Sequence, residues 1–233
     1  MNKIISYKTK ASILKIVAPI LILISACNKP SINLVLNGSA EIPRYDTVPK
    51  DWQNIKGHWI SEEGDSAHHD YAHAQDSSHF FFGGYGLVCI LQQEADVSQY
   101  AKTIDNKKQK FILSGFEQTL DQGLQSDQGM LKAECLDATK NKILDSSRTD
   151  TLMSKTKWQS VADTFLAPAS TRFIRVQLVA FRNVGGDNDG YFDNIRLVAL
   201  PSQNFLLIII IIAIVIVAIG SFVFFRRKII NKK

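Results

Sequence analysis

The stretch at residues 185–200, GGDNDGYFDNIRLVAL, decides how the rest of the chain is read. It sets an acidic, glycine-bearing turn directly before a β-prone run that carries Asp193, which reads as the closing strand of a β-sheet protein. Its counterpart lies far upstream at residues 33–41, NLVLNGSAE, where a short apolar run ends in a turn and then a carboxylate, Glu41. One segment is expected to open a sheet and the other to close it.

Between them lie short β-prone runs separated by polar or glycine-bearing turns, with no long helical period. The spacing predicts strands at 32–36, 79–82, 86–97, 110–116, 130–137, 164–166, 173–182 and 191–200. Leu131, Ala133 and Cys135 alternate with Lys132 and Glu134, and Ile174, Val176 and Leu178 with Arg175 and Gln177, the two-residue period of a half-buried strand. Leu87, Cys89 and Leu91 are expected to share a core face, with Val88 and Ile90 opposite. Strands at this spacing predict an all-β fold, a jelly-roll β-sandwich over residues 32–200.

The two ends differ from the middle. Residues 1–26 carry four lysines and no acid around an apolar run at 16–24, the layout of a secretory signal peptide. Ile24-Ser25-Ala26-Cys27 resembles a bacterial lipobox, which implies a lipid thioether on Cys27 and a short lipoprotein tether at 27–31. Residues 205–225 form an uncharged apolar run long enough to cross a bilayer as a transmembrane helix. The basic tail that follows, 226–233, keeps that end in the cytoplasm by the positive-inside rule. Leu200-Pro201-Ser202 resembles the start of a sortase motif, but Gln203 and Asn204 depart from it, so the helix is read as retained. The expected location is the bacterial cell envelope, with a single pass in the cytoplasmic membrane and residues 28–204 outside it. The whole chain is +5, yet both ends are basic and hold no acid, which leaves the region between them at net −4. Positive charge therefore serves membrane topology, and nucleic acid is not an expected partner.

Taken in order, NLVLNGSAE, SSHFFFGG, LQQEADVS, KFILSGF, LKAECLDATKNKIL, WQSVADTFLAPASTRFIRVQLVAF and GDNDGYFDNIRLVAL resemble the galactose-binding-like jelly roll of CenC-type carbohydrate-binding modules, over roughly residues 32–200. The resemblance implies a module that binds a glycan or cell-envelope polysaccharide. It also implies a structural calcium tying the opening loop to the last strand, with Glu41 and Asp193 at the matching positions. Such a cation wants six to eight oxygens at about 2.3–2.6 Å; carboxylates hydrogen-bonded to backbone amides are the cation-free alternative. Asp187 and Asp189 need only a solvated acidic turn to explain them.

A fold of this kind hosts many functions, so the site has to be argued from residues. Sugar binding needs a ring for the apolar face of the sugar with polar groups beside it. Trp52, Trp59 and Tyr71, in what reads as an irregular stretch between the first two strands, are the candidate platforms, each equally readable as packing at the core edge. Trp158 reads as packing. His58, His68, His69, His73 and His79 fall near Asp65, Asp70 and Asp76 and could bind a transition metal, but HExxH is absent and no helix fixes their spacing. Cys89 and Cys135 are either a disulfide of an oxidising exterior or two buried thiols. No nucleophile elbow, phosphate loop or dinucleotide fingerprint occurs. The expected function is a non-catalytic, membrane-anchored binding module with carbohydrate as the leading ligand. A surface structural or protein-interaction module is the alternative, and a metal-dependent hydrolase built on the histidines a third.

Overall fold

Alternating apolar side chains build two antiparallel sheets that close on one core. The computed structural model describes residues 32–42, 48–63, 74, 75, 77–152 and 157–201, with positions 210, 211, 214, 215, 218, 219 and 221 of the C-terminal run. Its strands are β1 (Gln53–Lys56), β2 (Ile60–Glu63), β3 (His79–Phe82), β4 (Val88–Asp96), β5 (Lys110–Thr119), β6 (Gln128–Leu136), β7 (Ile143–Arg148), β8 (Gln159–Leu166), β9 (Phe173–Phe181) and β10 (Gly190–Ala199). A short helix, α1 (Ala101–Asp105), lies between β4 and β5. The first sheet has the order β1-β4-β9-β6-β7 and the second β2-β3-β10-β5-β8, five strands each, so the domain is a β-sandwich. Leu91, Leu131, Ile174, Val176 and Leu178 of the first sheet face Phe111, Leu113, Phe192, Ile195 and Leu197 of the second, all fully buried. Each such side chain contributes about 1.5–3 kcal/mol of hydrophobic stabilisation.

The central strand β10 is interrupted by a bulge. Its ladder with β5 runs to Asp193↔Phe116 and resumes at Arg196↔Ser114, so Asn194 and Ile195 together oppose Gly115. Asn194 takes φ 49°, the left-handed region that asparagine tolerates. The displaced peptide groups find partners in the opening segment. Ile195 N donates to Gly38 O at 2.8 Å, and Ile195 O accepts from Asn33 Nδ2 at 3.1 Å. Asn33 Oδ1 accepts from Leu197 N at 3.0 Å, while Leu34 N donates to Leu197 O at 2.8 Å. The strand expected at 32–36 is therefore a strap with one bridge, Asn33↔Val198, because the Asn33 side chain takes ladder positions that a strand backbone would fill. Gly38 lies so close that a Cβ there would stand 2.2 Å from Ile195 O.

The closing stretch does form the last strand, and the strands expected from 79 onward recur with shifted ends. β1, β2 and β7 escaped prediction. All three are edge strands, paired on one side only and rich in polar residues, so the two-residue apolar period is missing from them. Leu87 corrects another expectation: it is 66% exposed, outside β4, while Cys89 and Leu91 are buried. The strand starts only after Gly86, whose φ of 145° turns the chain. Residues 1–31, with the signal peptide and Cys27, and most of 205–233 lie outside the described residues. Among the described residues no helix is long and apolar enough to cross a membrane.

One carboxyl lies between the two sheets with little to satisfy it. Glu117 of β5 points between the sheets and is 1% exposed. Its neighbour across the core is Gly129. Thr149 Oγ1 lies 3.5 Å from Oε1, and Oε2 is buried without a hydrogen-bond partner. Burial pushes this carboxyl up to about 8, against weaker downward effects of Thr149 and the Leu131 amide. The folded state therefore holds the proton more tightly than the unfolded chain. Stability from this source is full below about pH 4.5 and declines as pH rises towards about 8. Glu117→Gln stays neutral at all pH, so it should flatten the fall of Tm between pH 5 and 8 and exceed the wild type at pH 8. Thermal melts across that range check it, and an unchanged slope in the variant would assign the decline to other groups.

Candidate functional site

The two outer faces of the sandwich differ. On the second sheet Phe80, Phe82 and Tyr191 point outward yet are buried, packed with Ile60, Ala74, Leu120 and Trp158. Burial, reinforced by Asp189, pushes the Tyr191 phenol far above its ordinary value. That face is closed. The outer face of the first sheet has a polar middle flanked by apolar positions such as Ile90, Val179 and Phe181.

Register builds that face. Gln53↔Gln92 joins β1 to β4, Gln92↔Gln177 joins β4 to β9, Gln177↔Lys132 joins β9 to β6, and Lys132↔Arg148 joins β6 to β7. One polar row thus crosses all five strands. Within it Gln177 Nε2 donates to Gln92 Oε1 at 3.2 Å, and Gln92 Nε2 donates to Gln53 Oε1 at 3.1 Å. The neighbouring row carries alternating charge. Arg175 reaches Glu94 at 2.9 Å and Glu134 at 3.0 Å, with Lys140 3.0 Å from Glu94 and Lys132 2.6 Å from Glu134 at the two ends. Burial acts to raise the Glu94 carboxyl, but the Arg175 and Lys140 contacts outweigh it and hold it below its ordinary value. Lys140 also lies 4.2 Å from the centre of the Phe173 ring.

At one margin the face opens into a cleft of about 460 Å³, lined by Leu34, Leu36, Asp51, Trp52, Gln53 and residues 92–96. It forms because β1 pairs with β4 only as far as Gln92, which leaves the rest of β4 as an open edge flanked by the strap. Gln93 secures the wall: its Nε2 donates to the carbonyls of Leu36 and Asp51, and its Oε1 accepts from Leu36 N. Polar groups and the exposed Leu36 side chain therefore meet in one concavity.

The residues singled out from sequence are placed otherwise. Trp59 is 1% exposed, its ring 5.7 Å from Phe192, so it cannot stack on a sugar. Trp52 packs edge-on against Phe81 at 5.1 Å and donates to Asn37 O, leaving only a margin of its ring in the cleft. Both serve the core because the edge strands β1 and β2 bring them inward. Tyr71 lies outside the described residues, as do His68, His69 and His73. His58 precedes β2, and His79 sits at the other end of the β2–β3 pairing, next to Glu41 at 3.5 Å. Among the described residues no group of three or more His, Cys, Asp or Glu side chains comes together to hold a metal ion.

Glu41 and Asp193 do converge on one loop. Glu41 accepts from Ser78 N, Ser78 Oγ and His79 N at 2.8–3.0 Å. Asp193, fully buried, accepts from Gln75 N at 2.7 Å and from Asn194 N at 2.6 Å. Asp189 departs from the solvated-turn reading: it is 5% exposed and accepts from Tyr191 Oη and Gln122 Nε2, both at 3.0 Å. Cys89 and Cys135 are both free and buried. They oppose Ala180 and Ile174 of β9, positions about 20 Å apart along a strand, well beyond disulfide reach. Burial raises the Cys135 thiol to about 11.

The polar face itself was not singled out in advance. Part of its signal lay in the polar half of the alternation that located β6 and β9. No protein-family model and no curated protein matches this chain. Solved structures do share its fold. The enzymatically active domain of bacteriophage CBA120 tailspike protein 4 aligns with a TM-score of 0.52 at 14% identity, over 72% of this chain and 22% of that one. This chain thus spans about a fifth of that domain. A cyclase from Fischerella sp. TAU aligns with a TM-score of 0.51 at 14% identity, over 75% of this chain and all of that one. A family 16 carbohydrate-binding module aligns at 0.47 and 16% identity, over 71% and 99% of the two chains.

The charged row makes its own prediction. Arg175 is the shared cation between two carboxylates, of which Glu134 is nearly buried. Arg175→Met should destabilise the fold by about 1–2 kcal/mol, because it takes from the nearly buried Glu134 its charge-assisted bond on Oε2 and leaves it Lys132 alone. Adding Glu134→Gln should recover part of that loss, as read from urea unfolding midpoints.

Proposed function

We propose that this chain is a non-catalytic, extracytoplasmic module, anchored at the membrane, whose galactose-binding-like jelly roll binds a neutral saccharide chain across the outer face of the first sheet. The observation that carries this reading is the amide row Gln53–Gln92–Gln177 running into a cleft that also offers Leu36. A sugar hydroxyl is both donor and acceptor. Each amide in the row retains an N–H and a lone pair after its contact with its neighbour, so the row can meet successive hydroxyls. Because the side chains already hold one another in place, little rotamer freedom is lost on binding. The charged row alongside adds stronger donors and acceptors at Arg175 and Glu94. Anchoring is supported by the sequence at both ends and by the Asn33–Val198 bridge, which lets both ends of the sandwich leave from the same side.

A glycan array followed by calorimetry on the full-length chain in detergent tests the reading. Gln92→Ala should weaken the best neutral oligosaccharide about tenfold, roughly 1.4 kcal/mol, with little change in Tm. A folded protein that binds no glycan would overturn it.

A structural calcium at Glu41 and Asp193 belongs to the same reading. It is supported by two carboxylates that end on one loop, Asp193 being completely buried there. The two side chains would supply carboxylate oxygens, and loop carbonyls would have to complete the set. An ion at a hundred times its Kd contributes about 2.7 kcal/mol. Chelation should therefore lower Tm by about 5–10 °C, and Asp193→Asn should abolish that response. A melting temperature indifferent to chelator would leave the hydrogen bonds as the only tie.

A further inference from the structure

The end of the sandwich at which the last strand leaves carries a basic surface. β10 stops at Ala199, and the next residue is tied to the start of β5: Leu200 N donates to Lys110 O at 3.0 Å, and Leu200 O accepts from Gln109 Nε2 at 2.9 Å. Gln109 is buried and knits the preceding turn to that point. Its Oε1 accepts from Thr103 Oγ1 at 2.8 Å. Its carbonyl accepts from Ala167 N, and Lys108 N donates to Thr103 O, both at 3.0 Å. Residues 101–110, AKTIDNKKQK, are therefore held around the place where the chain leaves the fold.

Lys102, Lys107, Lys108 and Lys110 of this segment are all exposed. Its one acid, Asp105, is taken by Arg172, which donates to the two carboxylate oxygens at 3.1 and 2.8 Å. Asp96 and Asp137 stand on the first-sheet side of the same end, near Lys140 and Lys142, and Asp145 lines one cleft with Lys107. Positive charge is thus gathered at one end of a region whose overall balance is net −4. Exposed aliphatic side chains border it: Leu166 opposes Lys110 in the β5–β8 ladder, and Ile32 precedes the Asn33↔Val198 bridge. The uncharged run at 205–225 begins five residues beyond Leu200, at most about 18 Å of extended chain. Cys27 lies five residues before Ile32, within the same reach.

We propose that this end of the sandwich docks on an anionic lipid surface, with Lys102, Lys107, Lys108 and Lys110 among the headgroup phosphates and Leu166 and Ile32 at the edge of the apolar layer. Docking of this kind rests on the membrane anchoring read above, and adds a contact that a tether alone does not make. An ammonium on a flexible stem suits a mobile layer of phosphates, and its methylenes can lie along apolar surface. Each lysine near such a layer strengthens the attraction about fivefold. Docked by this end, the sandwich stands with its strands away from the membrane, which leaves the amide row of the first sheet clear of lipid.

Amide hydrogen exchange of the full-length chain tests it, in nanodiscs of phosphatidylcholine alone and in discs that also contain phosphatidylglycerol. Exchange over residues 102–108 should slow about threefold or more in the anionic discs, while residues 183–187, about 30 Å away at the other end of β10, exchange alike in both. The difference should vanish at about 1 M salt, where the screening length falls to about 3 Å. A variant with Lys102, Lys107, Lys108 and Lys110 all changed to Gln should keep the wild-type Tm, enter both discs and exchange alike in them. Equal exchange of the wild type in the two lipids would overturn docking and leave the anchoring intact. Slowing that persists in the fourfold Gln variant would also overturn it, since nearness through the tether would then suffice. A chain that enters neither disc would overturn the anchoring and the docking together.

Discussion

The bulge at Asp193–Arg196 is the constraint on which the rest of the sandwich depends. An extra residue in the central strand leaves the peptide of Ile195 out of the ladder with β5, and a buried unpaired peptide is costly enough that something must satisfy it. The opening segment does so through Gly38 and the side chain of Asn33. That pairing draws the first described residues onto the last strand, and it explains why glycine occupies position 38. The same bulge follows directly on Asp193, whose carboxylate binds the loop ahead of β3. One irregularity in one strand therefore fixes the first described residues, the last strand and the approach to β3.

From this arrangement the division between the two faces follows. The strap and β3 share the side of β10 away from β5, and aromatic residues on that sheet are packed beneath loops. On the first sheet the middle of the outer face carries amides and alternating charges that satisfy one another across strands. A polar face so organised keeps its side chains in place without a ligand. It can bind with little ordering, and it also protects a broad sheet from pairing with hydrophobic neighbours.

Much of the fold was legible in the sequence because core strands leave a strong period. β4, β5, β6, β9 and β10 have two neighbours in their sheets or a long buried face, so apolar residues recur at every second position. β1, β2 and β7 do not, since an edge strand with few buried side chains carries no such mark. The sites were less legible for a related reason. Trp52 and Trp59 are conspicuous residue types, but the same chemistry that would suit a sugar also suits a core, and only the position of β1 and β2 shows that the core has them.

What the sequence determined alone was the class of fold, the pairing of its first and last segments and the sharp contrast between its apolar, basic ends and its acidic middle. These rest on periodicity and composition, which are local along the chain. Tertiary structure decided which polar residues stand together. Gln53, Gln92, Gln177 and Lys132 are separated by up to 124 positions in sequence and become one row only through strand register. Register is set by which side chains can share a core and by where a bulge inserts its extra residue, and neither is written in any single segment.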